Sequence, residues 1–237
     1  RAQLNFLGVL GIIVLAVAIM PFLGIGGAKL YQSEMPGPLK DEKLTPRLVD
    51  TAKQLWIIYA GMALLCAIAF NLAGMNWFDA LSHSLSTVSL GGFSTRGDSL
   101  GYYQSAPIEL VGGIFSIFAA VNFALYFIAI SKRSMAPLLT NSELRFFLVI
   151  LSVVVGVTCL ELYRTKTYDA QGSLVHGFFL AASMMTDNGL GVSGYTSWPA
   201  HVVLLLLGAS FFGGCVGSTC GGIKAIRFLL LYRQGSC

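Results

Sequence analysis

The stretch Ser86-Thr87-Val88-Ser89-Leu90-Gly91-Gly92-Phe93-Ser94 closes an apolar run, Trp77 to Thr87, that is too short to cross a bilayer. A second stretch, Ser183-Met184-Met185-Thr186-Asp187-Asn188-Gly189-Leu190-Gly191, closes a second short run, Ser173 to Met185. Placing Gly92 on Gly189 brings Ser89 onto Thr186 and Phe93 onto Leu190. Two readings fit either stretch alone. One is a polar, glycine-rich outer loop joining two hydrophobic helices. The other is a re-entrant turn, in which a short helix dips into the bilayer, turns at glycine and leaves as extended chain. Irregular backbone at that depth must be buried in protein or line a watery cavity, because lipid satisfies neither N–H nor C=O. Its free carbonyls can then replace the water shell of a cation. The helix C-terminus adds partial negative charge, and glycine takes the dihedrals that the turn needs.

The rest of the chain is that of a membrane protein. Of 237 residues, 55% are hydrophobic and 11% charged, and the mean hydropathy is +0.74. A soluble domain carries about 25% charge, so a soluble globule is excluded. At about 20 apolar residues per crossing the chain holds about five spanning helices. The net charge of +4 does not point to nucleic acid, because the charges sit at the ends of apolar runs. Five cysteines, with no CxxC and two of them inside apolar runs, read as free thiols. The chain opens at Arg1 just before an apolar run and stops soon after Arg233, which reads as a piece of a longer protein.

The organisation is a repeat of long span, short helix, glycine turn and long span. Residues 1–31 read as the inner helix of a first unit, with Pro21 inside the run 4–30, and 32–54 as a cytoplasmic connection. Residues 55–133 form the second unit, 134–145 a cytoplasmic loop, 146–233 the third unit and 234–237 a tail. Spans are expected over Leu55–Met75, Pro107–Ile130, Phe146–Tyr163 and Ala200–Tyr232, the last interrupted by glycines. With this threading, eleven Lys and Arg fall on one side and four on the other (Arg1, Arg96, Arg164 and Lys166). The rich side is expected to be cytoplasmic. One extra crossing would swap every later loop and erase the bias, so the charge pattern and the repetition favour re-entrant turns.

Several motifs then carry a family resemblance. Thr87-Val88-Ser89-Leu90-Gly91-Gly92-Phe93-Ser94-Thr95 resembles the second selectivity filter of the TrkH-type potassium uptake proteins of the Trk/Ktr/HKT superfamily. Gly11-Ile12-Ile13-Val14-Leu15-Ala16-Val17-Ala18-Ile19 and Glu34-Met35-Pro36-Gly37-Pro38-Leu39-Lys40 resemble the same family. So does Gly213-Gly214-Cys215-Val216-Gly217-Ser218-Thr219-Cys220-Gly221-Gly222-Ile223-Lys224. The resemblance implies an all-α polytopic membrane protein with four helix–pore-loop–helix repeats around one pore, of which this chain holds the end of the first and all of the second and third. It implies a potassium filter from the carbonyls of Leu90, Gly91, Asp187 and Asn188, with Gly92 and Gly189 as turn glycines. Ser89, Phe93, Thr186 and Leu190 would support that filter. It further implies potassium as the transported ion with no organic cofactor, a homodimer in the bacterial inner membrane among lipid, and a cytoplasmic nucleotide-binding regulatory subunit of TrkA type. Asp187-Asn188 departs from the small, hydroxylated residues usual before the third glycine. That carboxylate either draws cations to the pore or is tied up by the pore helix, and the degree of selectivity over sodium turns on it.

The glycines at 213, 214, 217, 221 and 222, with Ser218 and Thr219, cannot make a sound helix, since each interior Gly costs up to about 1 kcal/mol against Ala. They read either as small residues for close packing or, as the resemblance implies, as a gating loop beneath the filter. His83, His176 and His201 have no ligand spacing and read as structural. Glu109 and Glu161, expensive within spans, are candidate sites or reach the outer interface. Asp79 and Asp169 stand where a carboxylate caps a helix start. Nothing carries an enzyme reading. The rival is a non-conducting membrane scaffold in which the turns are only structural.

Overall fold

The computed structural model describes residues 1–9, 48–192 and 194–235. Most of the expected first span, most of the connection 32–54 and the end of the tail lie outside them. The described residues are almost wholly α-helical, with one isolated parallel bridge between Phe212 and Ile223. In chain order the helices are α1 (2–9), α2 (Leu48–Leu72), α3 (Trp77–Val88), α4 (Ala106–Ala119), α5 (Phe123–Ser131), α6 (Ala136–Thr140), α7 (Ser142–Arg164), α8 (Ala170–Met185), α9 (Ala200–Ser210) and α10 (Ala225–Gly235).

The short helices α3 and α8 are the two expected re-entrant helices. Each is flanked by long apolar helices: α3 packs on α2 and α4, and α8 on α7, α9 and α4. Asn76 starts α3 by accepting the Asp79 N–H at 2.8 Å, and Asp169 starts α8 by accepting from Gly172 at 2.9 Å. Asp169 therefore caps as expected, whereas Asp79 leaves capping to Asn76 and has another use. Among the described residues, 53–72 and 142–164 are long and apolar enough to cross a bilayer unbroken. Leu64, Leu65, Val149, Val153, Leu204 and Leu207 lie exposed on α2, α7 and α9, as apolar faces turned to lipid must.

Pro107–Ile130 is not the continuous span that its hydropathy suggests. It breaks after Ala119 and resumes at Phe123, with an 85° bend. The break is held from both sides: Asn122 caps α5 by accepting from Ala124 N at 2.8 Å, and the Ala120 carbonyl is taken by Cys215 N at 2.9 Å. The last span breaks as its glycines foretell, between Ser210 and Ala225.

Large side chains fill the space between the units, with Phe70, Phe147, Phe179 and Leu190 fully buried. Glu109 on α4 and His176 on α8 join the units at 2.6 Å, with Glu109 buried. They line an outer cavity of about 390 Å³ with Tyr168 and Asp169. Glu161 meets His201 at 3.3 Å. Both acids that looked costly in spans are thus partnered by histidines from another helix.

Glu109→Leu leaves the His176 Nδ1 without its partner, and such a loss costs about 1–3 kcal/mol. The full-length variant in detergent is expected to melt below wild type, with Glu109→Gln, which can still bond His176, in between.

Candidate functional site

The two turns that follow α3 and α8 have the same hydrogen bonds in the same register. Ser89 N donates to Leu85 O at 3.2 Å and Thr186 N to Ala182 O at 3.0 Å. Leu90 N and Asp187 N each reach the carbonyl three residues back, both at 3.2 Å, and Gly91 N and Asn188 N each reach the carbonyl five back, both at 2.9 Å. The side chains repeat too, since Ser89 Oγ bonds Leu85 O at 2.7 Å and Thr186 Oγ1 bonds Ala182 O at 2.8 Å. This is a left-handed helix ending. Leu90 and Asp187 take φ of +51° and +57°, which costs about 1–2 kcal/mol for a residue with a Cβ.

Gly92 and Gly189 follow with φ of +67° and +75°. Here the two turns meet. A Cβ on Gly92 would stand 2.7 Å from the Asn188 carbonyl oxygen, and one on Gly189 would stand 3.7 Å from Gly92 Cα. The carbonyls of Leu90, Gly91, Asp187 and Asn188 receive no donor among the described residues, although their neighbours in the same turns do. Four free carbonyls on two abutting turns are thus left at the depth where the short helices end.

The side chains of these residues turn away from that junction. Asn188 Nδ2 donates to Ser116 Oγ on α4 at 2.6 Å, and Ser116 Oγ donates on to Gly112 O at 2.7 Å. Leu190 is fully buried, and its carbonyl accepts from Ser183 Oγ at 2.6 Å. Phe93 remains partly exposed. Asp187 faces the glycine-rich break, its Oδ2 3.0 Å from where a Cβ on Gly221 or Gly222 would lie. This carboxylate packs under the turn, against the loop.

The extended limb after Gly92 is pinned back to α3. His83 places Nδ1 2.8 Å from Asp79 O, so Nδ1 carries the proton, and Nε2 accepts from Ser94 Oγ at 2.8 Å. Thr95 Oγ1 donates to Asp79 Oδ1 at 2.6 Å, and Arg96 pairs with Asp79 Oδ2 at 3.0 Å while lying over Tyr102. Burial works to raise the Asp79 carboxyl, but the bonds from Thr95 and Arg96 and the Arg96 charge overcome it and hold it at about 2. The second limb is pinned across the units, with Gly191 N on Ser99 Oγ at 3.1 Å and Gly101 N on Gly191 O at 3.3 Å.

Beneath the turns runs the break, 211–224. Gly213 and Gly214 are needed for close approach, because a Cβ would fall 2.2 Å from Gly221 O and 2.6 Å from Ala120 O respectively. Gly217 and Gly222 have positive φ. Val216 N donates to the buried Glu143 Oε1 at 2.8 Å, and Lys224 Nζ donates to Cys220 O. At the loop tip, Ser218 Oγ bonds Cys215 O at 2.6 Å, Thr219 Oγ1 reaches Val88 O at 3.1 Å and Cys220 Sγ reaches Thr186 O at 3.0 Å. Cys66, Cys159, Cys215 and Cys220 are free thiols.

The turn residues, their supports and the break form one assembly. The pairings of Asp79 with Arg96, His83 with Ser94, Asn188 with Ser116, Glu143 with Val216 and Asn5 with Ser89 (2.9 Å) were not legible in the sequence. The one available signal was a set of polar residues inside otherwise apolar runs.

A family model described as TrkH, cation transport protein, matches residues 1–237. The Trk system potassium uptake protein TrkG of Escherichia coli (strain K12) is 57% identical over 99% of this chain and 48% of its own length. The TrkH protein of Halomonas elongata is 48% identical over 99% of this chain and 49% of its own. The crystal structure of the potassium transporter TrkH from Vibrio parahaemolyticus superposes with a TM-score of 0.84 at 41% identity, covering all of this chain and 48% of that one. The chain spans about half the length of the curated relatives it matches.

Asp79 ionises below its ordinary value of about 3.9. Its contribution to stability is therefore complete above about pH 4 and lost as the pH falls toward 2. Melting of the full-length protein is expected to weaken over that interval in wild type, and Asp79→Asn is expected to remove this component while lowering stability at neutral pH.

Proposed function

Because this chain belongs to the TrkH family of cation transport proteins, we propose that its two turns are the second and third of four pseudo-equivalent potassium filters in a pore. Potassium arrives hydrated from outside and gives up water to the carbonyls of Leu90, Gly91, Asp187 and Asn188. Gly92 and Gly189 let the two turns abut without side chains between them. Selectivity is a matter of how many carbonyls there are and how firmly they are held, and no covalent step is involved. The observation that carries this reading is the set of four carbonyls that receive no donor among the described residues, on two turns of matched hydrogen bonding that meet at glycine.

Firm holding follows from the surroundings. Ser94, Thr95 and Arg96 fix the first limb to α3 through His83 and Asp79. Ser183 and Ser116 fix the second turn to α8 and α4. The break at 211–224, with Gly213, Gly214, Gly217, Ser218, Thr219, Gly221 and Gly222, is the gating loop, since it lies against both turns on the side where the short helices end.

The relatives' names place potassium uptake in a Trk system. From the family resemblance we further propose that the full-length protein works in a bacterial inner membrane as a homodimer, with a cytoplasmic nucleotide-binding subunit of TrkA type. Lys224 and Arg227 at the start of α10 stand on the Lys- and Arg-rich side that such a partner would meet.

Rubidium uptake by the full-length protein in cells lacking their own potassium uptake tests this. Gly92→Asp puts a Cβ into the Asn188 carbonyl and a carboxylate at the junction, and is expected to abolish potassium-competed uptake at unchanged membrane abundance. Gly97→Ala, where a Cβ meets nothing within 4 Å, is expected to retain it. Equal uptake in Gly92→Asp and wild type would overturn the filter reading, and no uptake in either with the protein present in the membrane would favour the scaffold reading.

A further inference from the structure

The loop 211–224 is held in two different ways along its length. Its base is bound backbone to backbone. Gly213 N donates to Ile223 O at 2.9 Å, Ile223 N to Phe211 O at 3.1 Å and Ala225 N to Gly214 O at 3.2 Å. Cys215 N reaches Ala120 O at 2.9 Å, and Phe123 N reaches Gly217 O at 3.1 Å. These bonds tie the base to itself and to the bend between α4 and α5. The tip, Ser218 to Cys220, reaches the two turns through side chains alone. Thr219 Oγ1 sits 3.1 Å from Val88 O, the last residue of α3, and 3.3 Å from Ala119 O, the last residue of α4. Cys220 Sγ sits 3.0 Å from Thr186 O, the cap residue of α8, and accepts from Gly214 N at 2.9 Å.

We propose that Thr219 and Cys220 form a two-point latch that holds the loop shut against the second and third filters. The proposal rests on the conducting reading above and adds to it the residues that set the closed state. A helix leaves its last carbonyls without partners within the helix. In the closed arrangement the Thr219 hydroxyl and the Cys220 thiol supply those partners to one carbonyl under each filter. When the tip withdraws, the Val88 and Thr186 carbonyls are freed on the path just below the filters, where water and the departing cation take the place of the two donors. Opening therefore exchanges protein donors for ion contacts, which couples loop position to occupancy of the path. Both are positioning residues, since they hold the loop and do not bind the ion in the closed state. Lys224, bonded to Cys220 O, braces the thiol side of the tip from within the loop.

The full-length protein in liposomes, without its regulatory partner, provides the test. Two quantities are measured: rubidium influx, and the rate at which a membrane-permeant thiol reagent labels Cys220, read by mass spectrometry of the peptide that contains it. Cys220 is buried in the closed arrangement, so its labelling reports withdrawal of the tip independently of flux. Thr219→Val keeps the branched shape and removes the hydroxyl. A single net hydrogen bond corresponds to roughly a fivefold shift in the closed-to-open ratio. Thr219→Val is expected to raise Cys220 labelling and basal influx by about that factor, and Thr219→Ser to restore both toward wild type. Cys220→Ala is expected to raise influx in the same direction. Raised labelling with no influx in any variant would uphold the latch and overturn the conducting reading. Unchanged labelling in Thr219→Val at wild-type abundance, or a Thr219→Ser variant that behaves like Thr219→Val, would overturn the latch.

Discussion

A bilayer offers no hydrogen bonds to backbone, so every N–H and C=O at its depth needs a partner in the protein or a watery path. The rest of this structure depends on that constraint. Helices meet it without help, which is why most of the chain is helical. The two short helices α3 and α8 end inside the molecule, so their last turns expose carbonyls that need partners. The donors around them are therefore informative. Ser89 and Thr186 turn their hydroxyls back on their own helices, and Asn188 and Ser183 hold the second turn from the side. The four carbonyls left without a donor among the described residues are those that precede the abutting glycines.

The same constraint accounts for the two broken spans. Once α4 bends at 120–122 and the last span opens at 211–224, each break supplies donors and acceptors to the other. Cys215 N bonds Ala120 O and Phe123 N bonds Gly217 O. Glu143, buried at the start of α7, accepts from Val216 N and so holds the loop base from a third direction. The floor beneath the turns is thus one network of unwound backbone from two units.

Much of this was legible in the sequence, for physical reasons. Run length separates α3 and α8 from the full spans, and the Lys and Arg bias removes the alternative in which they cross. Glycine at 92 and 189 marks positive φ, so the alignment of the two turns by their glycines gives the same register as their hydrogen bonds. The bend at Ala120 was hidden because residues 107–130 keep a high mean hydropathy despite Glu109, Ser116 and Asn122, and hydropathy carries no signal for a break whose backbone groups are satisfied by a loop distant in sequence. The use of Asp79 was hidden for a related reason. A carboxylate in a first helical turn looks like a cap, and only the return of Thr95 and Arg96 from the far limb makes it the anchor of the filter strand. Asp187 was likewise ambiguous, because its direction is set by the φ of +57° that the turn imposes.

On the reading proposed above, backbone carbonyls of both turns hold a cation on one path. Crystals of the full-length protein soaked in rubidium and measured at the rubidium absorption edge test it most directly. Anomalous density is expected at the junction of Gly92 and Gly189, bordered by the carbonyls of Leu90, Gly91, Asp187 and Asn188 and displaced by potassium. Density on the Asp187 carboxylate alone, or none at the junction under rubidium concentrations that support uptake, would contradict it.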